Sequence, residues 1–355
     1  MSRVLVAMSG GVDSSVAAAL LLREGHDVTG VTLKLWGGPQ DQGCCSVSDV
    51  DDARRVAQQL GIDHFVFNYG DLFEERVVDP YVEAHASGLT PNPCVECNRH
   101  VKFDALLDRA RRLGFDHLAT GHHVRLADTS EGLRLRRGVD DAKDQSYVLY
   151  MLDGSQLPFL SFPVGHLTKA EVRETAAALG LRTAAKAESQ DVCFITEQEG
   201  RARFLGERIQ LHSGELVDVD GRPVGRVEAV ELVTIGQRKG LDLGGNRGRS
   251  YAVAVDAPRR RVVVGSAGDL LTDALSLDTH CWVDAPRQGP VLVQTSAHGP
   301  TRAGSLDATG QLRWDEPQRR VAPGQMAVFY DGDLVLGGAT VARDPVPKDV
   351  TPLPQ

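Results

Sequence analysis

No apolar run in this 355-residue chain approaches the ~20 residues of a membrane-spanning helix. The N-terminus also lacks the basic start and small-residue cleavage site of a signal peptide. Together these absences lead to the expectation of a cytoplasmic protein. Cysteine is sparse: six thiols scattered over this length do not make a disulfide scaffold, and in a reducing compartment they are free, metal-bound or catalytic. Positive charge is in deficit, with a net charge of −9, which argues against non-specific nucleic-acid binding but leaves room for a local basic face. Arg109/Arg111/Arg112, Arg134/Arg136/Arg137, Arg201/Arg203/Arg208 and Arg259/Arg260/Arg261 are the candidate patches, each more often a solvated surface. No internal repeat stands out.

The composition, 42% hydrophobic and 25% charged, is that of an ordinary globular protein, and the length calls for two or three domains. The most specific stretch is Val4-Leu5-Val6-Ala7-Met8-Ser9-Gly10-Gly11-Val12-Asp13-Ser14-Ser15, an apolar strand running into a glycine turn and then a helix pattern. Two glycines let the backbone turn sharply and approach a ligand. The amides that follow open a helix, where unpaired donors and the dipole favour an anion. The Gly-Lys-Ser/Thr ending of a Walker loop is missing. The pattern resembles instead the pyrophosphatase-type loop of enzymes that cleave ATP to AMP and pyrophosphate. A plain glycine turn would need far fewer specified positions.

Strand patterns at Val4–Met8, Val28–Leu35, His64–Asn68 and His117–Thr120 alternate with helix patterns at Ser14–Arg23, Val50–Leu60, Leu72–Ala86 and Lys102–Leu113. Alternation of this kind predicts an α/β fold with a doubly wound parallel sheet, which binds ligands at the carboxyl ends of its strands. Thr120-Gly121-His122-His123 follows one such end. Thr168–Leu179 reads as a helix with Thr168 as N-cap and Glu171 completing a capping box. After Arg208 short alternating segments and turns take over, with hairpins at Glu215–Val227 and Met326–Gly338. The expected domains are an α/β domain over residues 1–207, a small β-rich domain over 208–271 and a β-barrel-like domain over 272–355. The last dozen residues, rich in proline and charge, are expected to be loose.

Cys94 and Cys97 lie in Thr90-Pro91-Asn92-Pro93-Cys94-Val95-Glu96-Cys97-Asn98, which its prolines mark as an exposed irregular loop just before a helix. Arg99, His100 and Lys102 nearby favour thiolate at Cys97. Half a zinc site is the competing reading, a weak one because the adjacent Cys44 and Cys45 suit tetrahedral chelation poorly. Cys193, in Glu188-Ser189-Gln190-Asp191-Val192-Cys193-Phe194-Ile195, gains weight only as a partner of Cys97, and Cys281 reads as core. Asp140-Asp141-Ala142-Lys143-Asp144-Gln145-Ser146-Tyr147 is either a solvated loop or a nucleic-acid contact.

The glycine loop, the Cys94/Cys97 segment, Lys-Asp-Gln-Ser-Tyr at 143–147 and the Cys193 segment, in that order, resemble the bacterial tRNA-specific 2-thiouridylase family. Gly236–Leu241 and Pro323–Tyr330 extend the likeness over almost the whole chain. The resemblance implies a nucleotide-binding α/β domain, a small central domain and a C-terminal β-barrel. It also implies ATP-dependent replacement of the wobble-uridine O2 by sulfur in tRNA, with the lysine, glutamate and glutamine acceptors as substrates. Ala7, Met8, Ser9, Gly10, Gly11, Val12, Asp13, Ser14, Leu33 and Gly121 would hold ATP, with Mg2+ as counter-ion. Cys193 would carry sulfur as a persulfide taken from a donor protein. Cys97 would be the nucleophile, able to close a disulfide with Cys193. Asn92, Pro93 and Cys94 would meet the target base, and Lys143, Asp144, Gln145, His122 and Gln325 the rest of the tRNA. Two departures stand out. Many members have aspartate, a proton-transfer group, where this chain has Cys94. That substitution raises the alternative of three thiolates, Cys94, Cys97 and Cys193, around an iron–sulfur cluster. The family's Arg-Tyr contact is replaced by Ser296–Arg302, where His298 or Arg302 would have to serve. A small-molecule ATP-pyrophosphatase would explain the loop without using the cysteines, and an RNA-binding module would leave both thiols structural.

Overall fold

A computed structural model of the protein describes residues 1–35, 47–187, 192–195, 200–243 and 249–343. Cys44, Cys45, residues 188–191 of the second cysteine segment and the terminal stretch lie outside the described residues. Five parallel strands form the first sheet: β1 (Arg3–Ala7), β2 (Asp27–Lys34), β3 (His64–Asn68), β4 (His117–Thr120) and a short fifth strand, Leu160–Ser161, in the order β3-β2-β1-β4-fifth. Val4, Leu5 and Val6 are all buried because helices cover both faces, so β1 is continuously apolar. Strand order reverses between β1 and β4. Ala7 is in register with Val31 on one side and Thr120 on the other, which sets the loops after β1 and β4 side by side. The helices α1 (Val12–Arg23) and α2 (Val47–Leu60) follow β1 and β2.

Two long helices, over residues 70–86 and 93–112, each contain a widened π-type stretch, Glu74–Val78 and Cys97–Leu106. Such stretches are often found at functional sites. The second helix starts nine residues earlier than the expected Lys102, and the Cys94/Cys97 segment is helix rather than exposed loop. Asn92 caps it by accepting the Cys94 amide at 3.1 Å. Pro93 occupies the first helical position, where the amide it lacks is not needed. The proline read as a breaker is therefore the helix start.

A hairpin between residues 124 and 137, absent from the expected pattern, leaves the α/β sheet and joins the last one. Its second strand (Gly132–Arg137) pairs with the strand Leu334–Val341 at Leu334↔Arg136. Asp333 accepts Arg125 and Arg136, each at 2.9 Å, and Arg134 reaches Asp284 at 2.5 Å. Arg134, Arg136 and Arg137 thus bind the hairpin to the last domain and do not form a basic face. Arg109 and Arg111 lie over the rings of Phe67 and Phe159, Arg112 pairs with Asp108, and Arg259 pairs with Asp256. Gly165 passes so close to this hairpin that a Cβ there would fall 1.6 Å from the Val124 carbonyl oxygen.

A five-stranded central sheet spans Gly214 to Gly265, and a nine-stranded sheet holds the remaining strands from Leu271 to Val341 together with the 124–137 hairpin. Among the described residues no helix is long and apolar enough to cross a membrane. His85, 2% exposed, joins the helix over 70–86 to the central domain through the Glu231 carbonyl at 3.4 Å and packs edge-on to Tyr81. Burial, aided by the Arg201 charge, pushes its pKa from 6.5 down to about 4. The unfolded chain takes up this proton below pH 6.5, whereas the folded chain does so only near 4. Stability contributed here is complete above pH 6.5 and is lost as pH falls through that window, by up to about 3 kcal/mol. His85→Gln is expected to flatten that part of the stability–pH curve measured by urea titration; an unchanged slope would show that His85 does not drive it.

Candidate active site

The turn after β1 is built by its two glycines. Gly10 has φ +72°, and a Cβ there would lie 2.3 Å from the Asp49 carbonyl oxygen of α2. Gly11 is extended and opens α1 with no side-chain cap. The opening amides of α1 are thereby left for an anion rather than for the protein's own oxygens. Ser14 Oγ accepts the Ser9 amide at 3.2 Å and lies 3.4 Å from Ser9 Oγ, while Ser15 Oγ donates to the Gly11 carbonyl at 2.8 Å. Gly121 closes the cradle from β4: a Cβ there would sit 2.5 Å from Ser14 N. Met8, directly before the turn, is buried at 2% exposure and Leu33 on β2 at 6%, and Thr32 Oγ1 donates to the Met8 carbonyl at 2.8 Å.

Three cationic or imidazole groups that the motifs did not single out converge on this loop. Lys169 Nζ lies 2.8 and 2.7 Å from the two Asp13 oxygens, and His123 Nε2 is 3.1 Å from Oδ1. Burial pushes the Asp13 pKa up, but the hydrogen bonds from His123 and Lys169 outweigh it, so the carboxyl sits below its ordinary range and stays ionised. Lys186 Nζ donates to the Gly10 carbonyl at 3.0 Å and to Asp49 and Asp52 at 2.7 Å each, tying the turn to α2. Spacing in the sequence offered no signal for Lys169 or Lys186, which reach the loop from 156 and 176 residues away. His123 was within sight, directly after the Gly121-His122 pair.

Cys97 is buried, 7% exposed, a turn inside the helix over 93–112, in the apolar cluster that also takes Val95, Val101 and Phe73. Cys193 is half-buried against the same cluster. Its neighbour Phe194 packs edge-on to Phe73 and Tyr81 at 5.7 and 5.4 Å, so the helix over 70–86 supports both cysteine segments. Cys94 is exposed. Among the described residues Cys94, Cys97, Cys193 and Cys281 are joined in no disulfide, and no group of three or more His, Cys, Asp or Glu side chains is set to hold a metal ion. The basic residues expected to favour thiolate lie on the same helix as Cys97. Glu96 takes Arg99 at 3.4 Å and His100 at 3.3 Å, and Lys102 donates to Asn98 Oδ1 at 2.9 Å. Cys281 is half-buried rather than deep core, and Sγ donates to the Met151 carbonyl at 3.5 Å.

Asp144 is buried, and its oxygens accept the Gly138 amide, the Ser146 amide and hydroxyl, and Arg137 at 3.0 Å. A carboxylate committed in this way braces the loop that carries Lys143 and Gln145. Gln145 exchanges two hydrogen bonds with the His123 backbone, at 2.9 and 3.1 Å, which fixes its loop to the β4 turn. Lys143 is half-exposed beside it. His122 donates or accepts at Thr120 Oγ1, 2.6 Å away, and lodges between Phe103 and Phe162; burial, then the Lys102 charge, holds its pKa well below 6.5 and keeps it neutral. Gln325 Nε2 donates to the Thr90 carbonyl at 2.8 Å, and Thr90 donates to the Pro323 carbonyl at 2.7 Å. The last domain thereby grips the chain two residues before the Asn92 cap. His298 and Arg302 are exposed, on a segment anchored by Gln294, whose Nε2 donates to the Ser296 and Ala297 carbonyls.

Three family models match in succession: the tRNA methyl transferase HUP domain over residues 2–197, the tRNA methyl transferase PRC-barrel domain over 202–266 and the aminomethyltransferase beta-barrel domain over 273–341. Fold and glycine cradle together define a nucleotide-binding HUP-domain protein of the tRNA-modifying class, carrying two β-rich modules. The tRNA-specific 2-thiouridylase MnmA of Chloroflexus aurantiacus is 48% identical, across 98% of this chain and 100% of that protein. Its counterpart from Mycolicibacterium gilvum is also 48% identical, across 96% and 99%. The chain belongs to the tRNA-specific 2-thiouridylase family, a family of tRNA sulfurtransferases. Among solved structures, the U34-tRNA thiolase NcsA of Methanococcus maripaludis aligns at TM-score 0.36 and 19% identity, covering 58% of this chain and 63% of that one.

Proposed function

We propose that the protein uses ATP to replace O2 of the wobble uridine by sulfur in the lysine, glutamate and glutamine tRNAs. The observation that carries the reading is the pairing of an uncapped, glycine-cradled helix start with a buried thiol, Cys97, on a helix whose entry is gripped by the last domain. In the first step uridine O2 attacks the α-phosphorus of ATP; the new P–O bond forms as pyrophosphate leaves, and the opening amides of α1 take up phosphate charge. Ala7, Met8, Ser9, Gly10, Gly11, Val12, Ser14, Leu33 and Gly121 shape that site. Asp13 is the hard oxygen ligand available to Mg2+ there.

A donor protein charges Cys193 with a persulfide. Its terminal sulfur attacks C2 and AMP departs. Cys97 thiolate then attacks Cys193 Sγ, breaking the S–S bond, freeing the thiocarbonyl and closing a Cys97–Cys193 disulfide that an external thiol reduces. Splitting delivery between two thiols divides one difficult displacement into two. Asn92, Pro93 and Cys94 frame the flipped base, whose unstacking is inexpensive in an anticodon loop. Lys143, Gln145, His122 and Gln325 support the tRNA around it.

The test incubates unmodified glutamate or lysine tRNA with ATP, magnesium and a persulfide source, and scores product by retardation in a mercury-containing gel. Thiolated tRNA from the intact chain, and none from Cys193→Ser, is the expected result. Product surviving in Cys193→Ser would remove the persulfide role. No product, alongside pyrophosphate release with a small molecule, would overturn the tRNA reading.

A further inference from the structure

His123 lies in the turn after β4 and is 3% exposed. Among the described residues its ring makes one hydrogen bond, from Nε2 to Asp13 Oδ1 at 3.1 Å, while Nδ1 is buried without a partner. A carboxylate only accepts, so Nε2 is the donor and Nδ1 is left unsatisfied. A buried polar atom with no partner costs stability, so packing alone does not account for a histidine here. Its main chain is held as closely as its ring. The His123 amide donates to Gln145 Oε1 at 2.9 Å, and its carbonyl accepts the Gln145 amide at 3.1 Å. Gly138 packs against the same carbonyl, where a Cβ would lie 2.6 Å from the oxygen. One residue thereby joins the carboxylate of the glycine loop, 110 residues earlier, to the loop that carries Gln145. Lys169 holds that carboxylate from another element, so loss of His123 loosens Asp13 without stranding its charge.

We propose that His123 is a positioning residue that sets the Asp13 carboxylate for magnesium-bound nucleotide, and that Gln145 reaches the nucleotide site through it. The proposal rests on the nucleotide reading of the glycine loop and deepens it. The glutamine assigned to the tRNA side then also fixes the geometry of the ATP side, by holding the backbone from which the imidazole projects.

The experiment measures equilibrium binding of ATP, without RNA, at limiting and at saturating magnesium. It compares the full chain with His123→Phe, His123→Gln, Gln145→Met and the His123→Phe/Gln145→Met double variant, with urea titration as the check on folding. At limiting magnesium His123→Phe should weaken binding roughly tenfold, the effect of one hydrogen bond to a charged group. His123→Gln, whose amide nitrogen can still donate to Asp13, should stay within about threefold of the intact chain. Gln145→Met removes the acceptor of the His123 amide and should weaken ATP about three- to tenfold. The double variant should be no weaker than His123→Phe, because both changes act through one bond. Saturating magnesium should recover most of each loss. Losses of equal size at both magnesium levels, no rescue by His123→Gln, or ATP bound by Gln145→Met as by the intact chain would overturn the proposal and leave the nucleotide reading standing. If His123→Phe does not fold, Gln145→Met decides at the same two magnesium levels. An intact chain that binds no ATP would overturn the nucleotide reading itself and this inference with it.

Discussion

Cys97→Ser is expected to abolish thiolated tRNA, a loss on the order of 10³-fold or more, while the chain stays folded and still binds tRNA. The hydroxyl is a far weaker nucleophile at neutral pH, because a serine stays protonated where a cysteine can ionise. Because Cys97 is buried among apolar side chains, the new hydroxyl also costs roughly 1–3 kcal/mol if it finds no partner. Urea titration of Cys97→Ser beside Cys97→Ala separates the two effects. Equal stability with both variants inactive places the loss in the chemistry. Turnover by Cys97→Ser within about tenfold of the intact chain would remove Cys97 from the nucleophile's role.

Gly121→Ala should be nearly as damaging, for a steric reason. The added methyl would lie 2.5 Å from Ser14 N and 2.7 Å from Asp13 C, and both are backbone atoms that no rotamer change can move. Either the β4 turn or the start of α1 must shift, and those are the two walls of the nucleotide cradle. We expect destabilisation of about 3 kcal/mol and loss of measurable ATP binding and pyrophosphate release. Gly11→Ala is the informative contrast, since its nearest obstacle is Ser9 Oγ at 3.4 Å, an ordinary contact. If Gly121→Ala bound ATP as well as Gly11→Ala, the close crossing of the two loops would be irrelevant to the site.

Local patterns in the sequence determined a good deal. The β1 apolar run, the double glycine, the Thr168–Glu171 capping box and the turn glycines each act over a few residues, where backbone preference and periodicity decide conformation. The parallel sheet and its switch point follow from the alternation of such segments. What the sequence left open depends on distant partners. Pro93 reads as a breaker until Asn92 caps the helix and the Pro323–Gln325 turn holds Thr90 in place, so Cys97 is buried where an exposed loop was expected. Arg134, Arg136 and Arg137 read as a basic patch until the hairpin they lie on crosses to the last domain and meets Asp284, Asp333 and Asp144. Asp144 reads as a surface carboxylate until that crossing buries it. Lys169 and Lys186 carried no motif, and only the packing of later segments onto α1 and α2 brings them to the glycine loop. A lysine's chain of methylenes can deliver its charge from any nearby element, so where that charge comes to rest is decided by tertiary structure.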